Sequence, residues 1–104
     1  MIDIAEIKNL CNNGALRWTN HVMVRLTQRR ITTDDVVYAL QNGEIIEKYP
    51  TDYPYPSCLV LGVALDKRKI HVVCGFGKKE LWLITAYYPN PDEWTEDFKT
   101  RKEN

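Results

Sequence analysis

The sequence predicts an α+β domain in which two to three short helices lead into an antiparallel sheet of about four strands. Three observations carry that expectation. Apolar residues recur at helical spacing up to Gly43 and at strand spacing after it. Cap signatures bracket the helical part, and short turn-forming connectors separate the strand-like runs. With 104 residues, 44% apolar and 27% charged, there is material for one domain with one core.

The first helix is expected from Ile2 to Asn13, with Ile4, Ile7, Leu10 and Cys11 on one face and Gly14 as a left-handed stop. The second should begin at Thr19 or Asn20 and run to about Arg30, with Trp18, Val22 and Leu26 as its apolar stripe and Met23 beside it. Thr32 followed by Asp35 resembles a capping box for the third, which buries Val36, Val37 and Leu40 and ends at Gly43. Strands are expected over Glu44–Tyr49, Cys58–Leu65, Ile70–Phe76 and Glu80–Tyr88. The loop from Pro50 to Ser57 carries three prolines, which a central strand or a helix would not tolerate. The connectors at 66–69 and 77–79 are short enough for hairpins. On the strand after residue 70, Ile70, Val72, Cys74 and Phe76 share one face while His71 and Val73 take the other. Strict alternation on the last strand would group Leu81, Leu83, Thr85 and Tyr87 against Trp82, Ile84, Ala86 and Tyr88. Either face could receive the helices. The whole of 1–104 reads as a single domain, with a polar tail, its end frayed, from about 95 to 104.

Fourteen basic residues balance fourteen acidic ones. A non-specific polyanion binder would be clearly basic, so no DNA binding is expected, and any contact with RNA must come from a local patch. Cys11, Cys58 and Cys74 form an odd set without paired spacing and read as buried thiols in a reducing compartment. No secretory segment is evident, and the longest apolar stretch is too short to span a bilayer, so a cytoplasmic, membrane-free location is expected. Two histidines without clustered Cys or carboxylates fall short of a metal set, and no cofactor fingerprint is present.

The feature closest to chemistry is a row on the second helix. His21, Arg25 and Arg29 stand four residues apart in turn, along one side. Histidine moves protons near neutral pH, and arginine holds a phosphate through two hydrogen bonds while stabilising charge that develops on it. Such a set suits metal-independent cleavage of a phosphodiester. A solvated basic face bordering the core is the plainer alternative. His71, between apolar neighbours, is either a structural histidine or a second proton-transfer group. Thr85, Tyr87 and Tyr88 add hydroxyls that could orient a phosphate, or that simply suit a strand. The tyrosines of the 49–55 loop could stack on bases or cover the sheet edge.

The order of these pieces resembles a family of small bacterial domains of unknown function. The pattern runs from His21-Val-Met-Val-Arg25 and Arg29-Arg-Ile-Thr32 through Asn42-Gly-Glu-Ile-Ile-Glu47 and Tyr49-Pro50. It continues with Leu59-Val-Leu-Gly62, His71-Val-Val73 and Ile84-Thr-Ala-Tyr-Tyr-Pro89, covering roughly residues 18 to 91. That family looks like a member of the RelE-like, barnase-like group of toxin ribonucleases, whose helices precede a curved antiparallel sheet. The resemblance implies a metal-independent endoribonuclease of a toxin–antitoxin pair, restrained by a small antitoxin. It points to His21, Arg25, His71 and Thr85 as catalytic and to Arg29 and Tyr88 as substrate-binding. Arg30 stands where many members have glycine, and the zero net charge departs from the basic surface usual for ribosome-associated toxins. A non-catalytic interaction module, pairing a partner through its sheet, is the competing reading.

Overall fold

The computed structural model describes residues 2–103. Three helices precede most of a five-stranded sheet, so the α+β expectation holds. Helix α1 (Ile4–Asn12) is capped by Asp3, whose carboxylate accepts from the Ala5 N–H at 2.7 Å. It stops at Gly14, whose φ of 68° lets the Ala15 N–H return to the Leu10 carbonyl. Helix α2 (Asn20–Gln28) has Thr19 as its cap. Helix α3 (Thr33–Asn42) carries the full Thr32/Asp35 capping box, with both reciprocal bonds made. Arg30, just past α2, sits at φ 57°, a conformation that glycine enters without cost.

Between α1 and α2 the chain forms a strand that the apolar pattern does not announce, β1 (Leu16–Trp18). It is followed by β2 (Glu44–Tyr49), β3 (Ser57–Val63), β4 (Lys69–Phe76) and β5 (Leu81–Tyr87), in the spatial order β1-β5-β4-β3-β2. Neighbours from β2 to β5 are antiparallel, whereas β1 runs parallel to β5, with Arg17 opposite Trp82 and Trp18 opposite Leu83. Trp18 therefore belongs to the sheet, not to the α2 stripe. Its spacing to Val22 mimics a helical turn, but Thr19 must be extended to cap α2, and the residues before it continue that extended path.

The helices cover one face, with α3 on β3 and α2 on β5. Val22, Leu26, Val36 and Leu40 meet Val60, Ile70, Val72 and Leu83 there. Gly62 makes the approach of α3 possible, because a Cβ at that position would lie 2.3 Å from the Ala39 carbonyl oxygen. A bulge between β4 and β5 corrects the expected alternation: Cys74 pairs with Leu83 and Val73 with Thr85, leaving Ile84 as the extra residue. Ala86 consequently faces the helices with Leu81 and Leu83, and Tyr87 faces the other way with His71.

The opposite face is not bare. After β5 the chain folds back across it, and Trp94, bridged to Arg101, is buried there. Lys99 pairs with Glu44 at 2.8 Å and Arg101 with Glu47 at 3.1 Å, so the segment is tied to β2. Leu59, Leu61 and His71 lie fully or almost fully buried on this side. No helix among the described residues is long and apolar enough to cross a membrane.

Candidate functional site

The α2 row survives as geometry, with different fates for its members. His21 and Arg25 are exposed, and among the described residues neither makes a hydrogen bond or ion pair through its side chain. Arg29, at the C-cap of α2, is partly buried. Its Nη1 donates to the Thr85 hydroxyl and to the Ala86 carbonyl, both at 2.9 Å. The reason lies in the sheet edge. β1 pairs with β5 only through Leu83, so the stretch from Ile84 onward is left without a strand partner on that side. Arg29 supplies a donor to that open edge and joins the end of the row to β5.

His71 is placed elsewhere. It lies on the face away from α2, fully buried beneath the folded-back segment. Its Nε2 is 2.9 Å from the Phe98 carbonyl, which can only accept, so Nε2 carries the proton. Nδ1 is then the acceptor for the Tyr87 hydroxyl at 3.2 Å. The Trp94 and Tyr87 rings meet it edge-on, with centroids 4.4 and 5.3 Å away. Burial holds the imidazole below its ordinary pKa, against the pull of the Phe98 hydrogen bond and the Glu47 charge. His21 and His71 therefore lie on opposite sides of the sheet, because the helices took the face defined by Ile70 and Val72.

Tyr88 also has another partner. Its hydroxyl accepts from Arg68 Nη2 at 2.9 Å, and the Arg68 guanidinium lies 3.9 Å from the centre of its ring. It is thus tied to the turn between β3 and β4 and not to Arg29.

Apart from Tyr87, whose hydroxyl the sequence offers as a phosphate contact, the residues that hold His71 have no role in the sequence analysis. Tyr87 connects the two regions: it touches His71, stands two residues from Thr85, and feels the Arg29 charge. Burial raises the Tyr87 phenol, with Arg101 and Arg29 opposing. Beyond His71, Glu47 accepts from the Arg101 guanidinium and from the Tyr49 hydroxyl. Burial alone would lift the Glu47 carboxyl, but those hydrogen bonds outweigh it and hold the group below the usual carboxylate range. Tyr49 is pushed up to about 12 by burial and by its bond to Glu47. The available signal for Tyr87 was its position two residues from Thr85. For Trp94 the signal was a tryptophan in an otherwise polar tail.

Residues 18–88 match the model of a family described as a domain of unknown function, DUF4258. The chain belongs to that family. The matched span runs from the last residue of β1 to just past β5, so it includes α2, His71 and Thr85 but not the folded-back segment with Trp94. No curated protein and no solved structure matches the chain.

Proposed function

We propose that this DUF4258 domain is a toxin-like, metal-independent endoribonuclease that works beside an antitoxin in the cytoplasm. The observation that carries the reading is the Arg29–Thr85 contact, which brings the end of the His21–Arg25–Arg29 row onto the end of β5. Arg25 and Arg29 hold the scissile phosphate, and Thr85 orients it. His21 takes the proton of the 2′-hydroxyl as that oxygen attacks phosphorus. The bond to the 5′-oxygen breaks, a cyclic phosphate remains, and the leaving oxygen takes the proton that His21 accepted. His71, hydrogen-bonded to the Tyr87 hydroxyl on the other face of the sheet, is in this scheme a positioning residue for the end of β5.

Purified protein incubated with RNA in excess chelator should cleave it, and expression without the neighbouring antitoxin should arrest growth. His21→Ala should lower cleavage by about 10²-fold or more. Because His21 is exposed, the same variant should keep its stability within about 0.5 kcal/mol. Absence of cleavage and arrest, or cleavage unchanged in His21→Ala, sinks the proposal.

One observation favours a second reading. Both ring nitrogens of His71 are occupied under a packed segment, as in a domain kept for binding and not for catalysis. That reading expects a stable protein complex that survives both His21→Ala and Arg25→Ala.

A further inference from the structure

The face that carries His71 has a second region that the folded-back segment leaves open. At the other end of β5, Tyr53, Pro54, Tyr55, Trp82 and Ile84 line a pocket of about 310 Å³. Tyr53 is 95% exposed and Ile84 45%, so two of the exposed large apolar side chains meet at this one pocket. Its walls are flat. Tyr55 stacks on Trp82 with ring centres 5.9 Å apart and planes inclined by 29°. The floor is Gly75, where an added Cβ would meet only Ile84 Cδ1 at 3.5 Å and Tyr55 Cβ at 3.8 Å among side chains. The space above it is therefore left open by the lack of a side chain, and the fold does not require that lack.

The polar groups at the rim are of two kinds. Asp52 is held by the Ser57 hydroxyl through one carboxylate oxygen, and the other, Oδ1, has no hydrogen bond among the described residues. Cations lie beyond its Trp82 end. The Arg17 guanidinium, paired with Glu80 at 3.6 Å, lies 5.1 Å from the Trp82 ring centre, and the turn after Gly77 carries Lys78 and Lys79. Neither lysine forms an ion pair among the described residues. Flat aromatic walls, one fixed acceptor and a cationic margin suit a base attached to a phosphate chain better than an aliphatic side chain.

We propose that this pocket binds an unpaired nucleobase bearing an exocyclic amino group, from an RNA strand whose phosphates run past Lys78, Lys79 and Arg17. The amino group donates to Asp52, and the ring stacks against Tyr53, Tyr55 and Trp82. Thr85 lies three residues along β5 from Trp82, about 10 Å of strand, so the base belongs to a nucleotide near the phosphate at Arg29. The proposal rests on the ribonuclease reading for its substrate, and it adds which bases that substrate presents.

The test is equilibrium binding of single-stranded 2′-O-methyl oligonucleotides, followed by fluorescence anisotropy at low salt. Blocking the 2′-oxygen removes the nucleophile, so binding is read independently of cleavage. Oligomers of cytosine or adenine should bind more tightly than oligouridine, and Asp52→Asn should abolish that preference. Trp82→Ala should weaken binding by about 5- to 150-fold. Should that variant misfold, Tyr53→Ala, at an exposed position, and Gly75→Ala, which fills the floor without a clash, give the same answer. Pocket-dependent binding of these oligomers without cleavage of ordinary RNA supports the pocket and overturns only the catalytic reading. Unchanged affinity in all three variants overturns the pocket, as does a pocket that takes a partner's apolar side chain and no oligonucleotide.

Discussion

Arg29 and Thr85, 56 residues apart in sequence, are joined by a hydrogen bond of 2.9 Å, and the same guanidinium nitrogen serves the Ala86 carbonyl. The contact ties the C-terminal end of α2 to the one stretch of β5 that β1 does not reach. Arg29→Ala leaves that carbonyl and hydroxyl without their donor and should cost about 1–3 kcal/mol in urea unfolding. Lysine at 29 keeps the charge but not the planar fork, so it should recover only part of that loss. Thr85→Val, combined with Arg29→Ala in a double-mutant cycle, should show coupling of about 0.5 kcal/mol or more.

Arg30 pays a conformational cost that glycine would not, since its φ is 57°. Arg30→Gly should therefore stabilise the fold by about 1 kcal/mol, the left-handed penalty partly offset by glycine's greater chain entropy. A scanning melt should show a rise of roughly 4–8 °C. No rise would mean that the Arg30 side chain makes a compensating contribution.

Two groups make the protein acid-sensitive, in sequence. His71 titrates below its ordinary 6.5 in the folded state. Beneath 6.5 the unfolded chain binds a proton that the folded chain refuses, so stability falls as the pH drops from there to the folded pKa. Glu47 titrates below its ordinary 4.5, so its contribution is present above that value and is lost as the pH falls through the folded one. Urea midpoints between pH 7.5 and 5 should decline for the native chain. The decline over this window should flatten in His71→Gln, while the loss below pH 4.5 remains.

Trp94 should be the largest single contributor from the folded-back segment. It is 3% exposed, so Trp94→Ala should cost about 3–5 kcal/mol. Arg101→Ala breaks an ion pair that is exposed on the arginine side and retains the Tyr49 hydroxyl on Glu47, and should cost about 1 kcal/mol. In a Trp94→Ala protein that still folds, the His71 ring protons should titrate closer to 6.5 by NMR.

Gly62→Ala tests how closely α3 sits on β3. A methyl group there meets the Ala39 backbone, not the end of a flexible side chain, so relief requires moving the helix. A loss of about 3 kcal/mol or more is expected in urea unfolding, against little change for Gly75→Ala.

How far the fold could be read from sequence depended on how local each signal was. The Thr32–Asp35 box and the Gly14 stop act within a few residues, and both are found as expected. β1 is three residues long, too short to show a period, and its partner lies more than 60 residues away. The bulge at Ile84 leaves no mark on the apolar pattern, yet it decides which of Thr85, Ala86 and Tyr87 face the helices. The site divides in the same way. The α2 row was legible because helical spacing aligns it. That Arg29 ends on Thr85, that His71 is sealed by Trp94 and Phe98, and that Trp82 shares a pocket with Tyr53 are all consequences of long-range closure.

The folded-back segment also orders events in time. Trp94 and Phe98 follow every strand in the chain, so a growing polypeptide presents β2 to β5 before it presents their cover. A sheet paired without this segment would leave Leu59, Leu61 and His71 facing solvent, and the imidazole would take up a proton that the finished domain excludes. Closure is therefore the step that expels both water and charge from this side of the sheet, and it should run faster at neutral than at acidic pH.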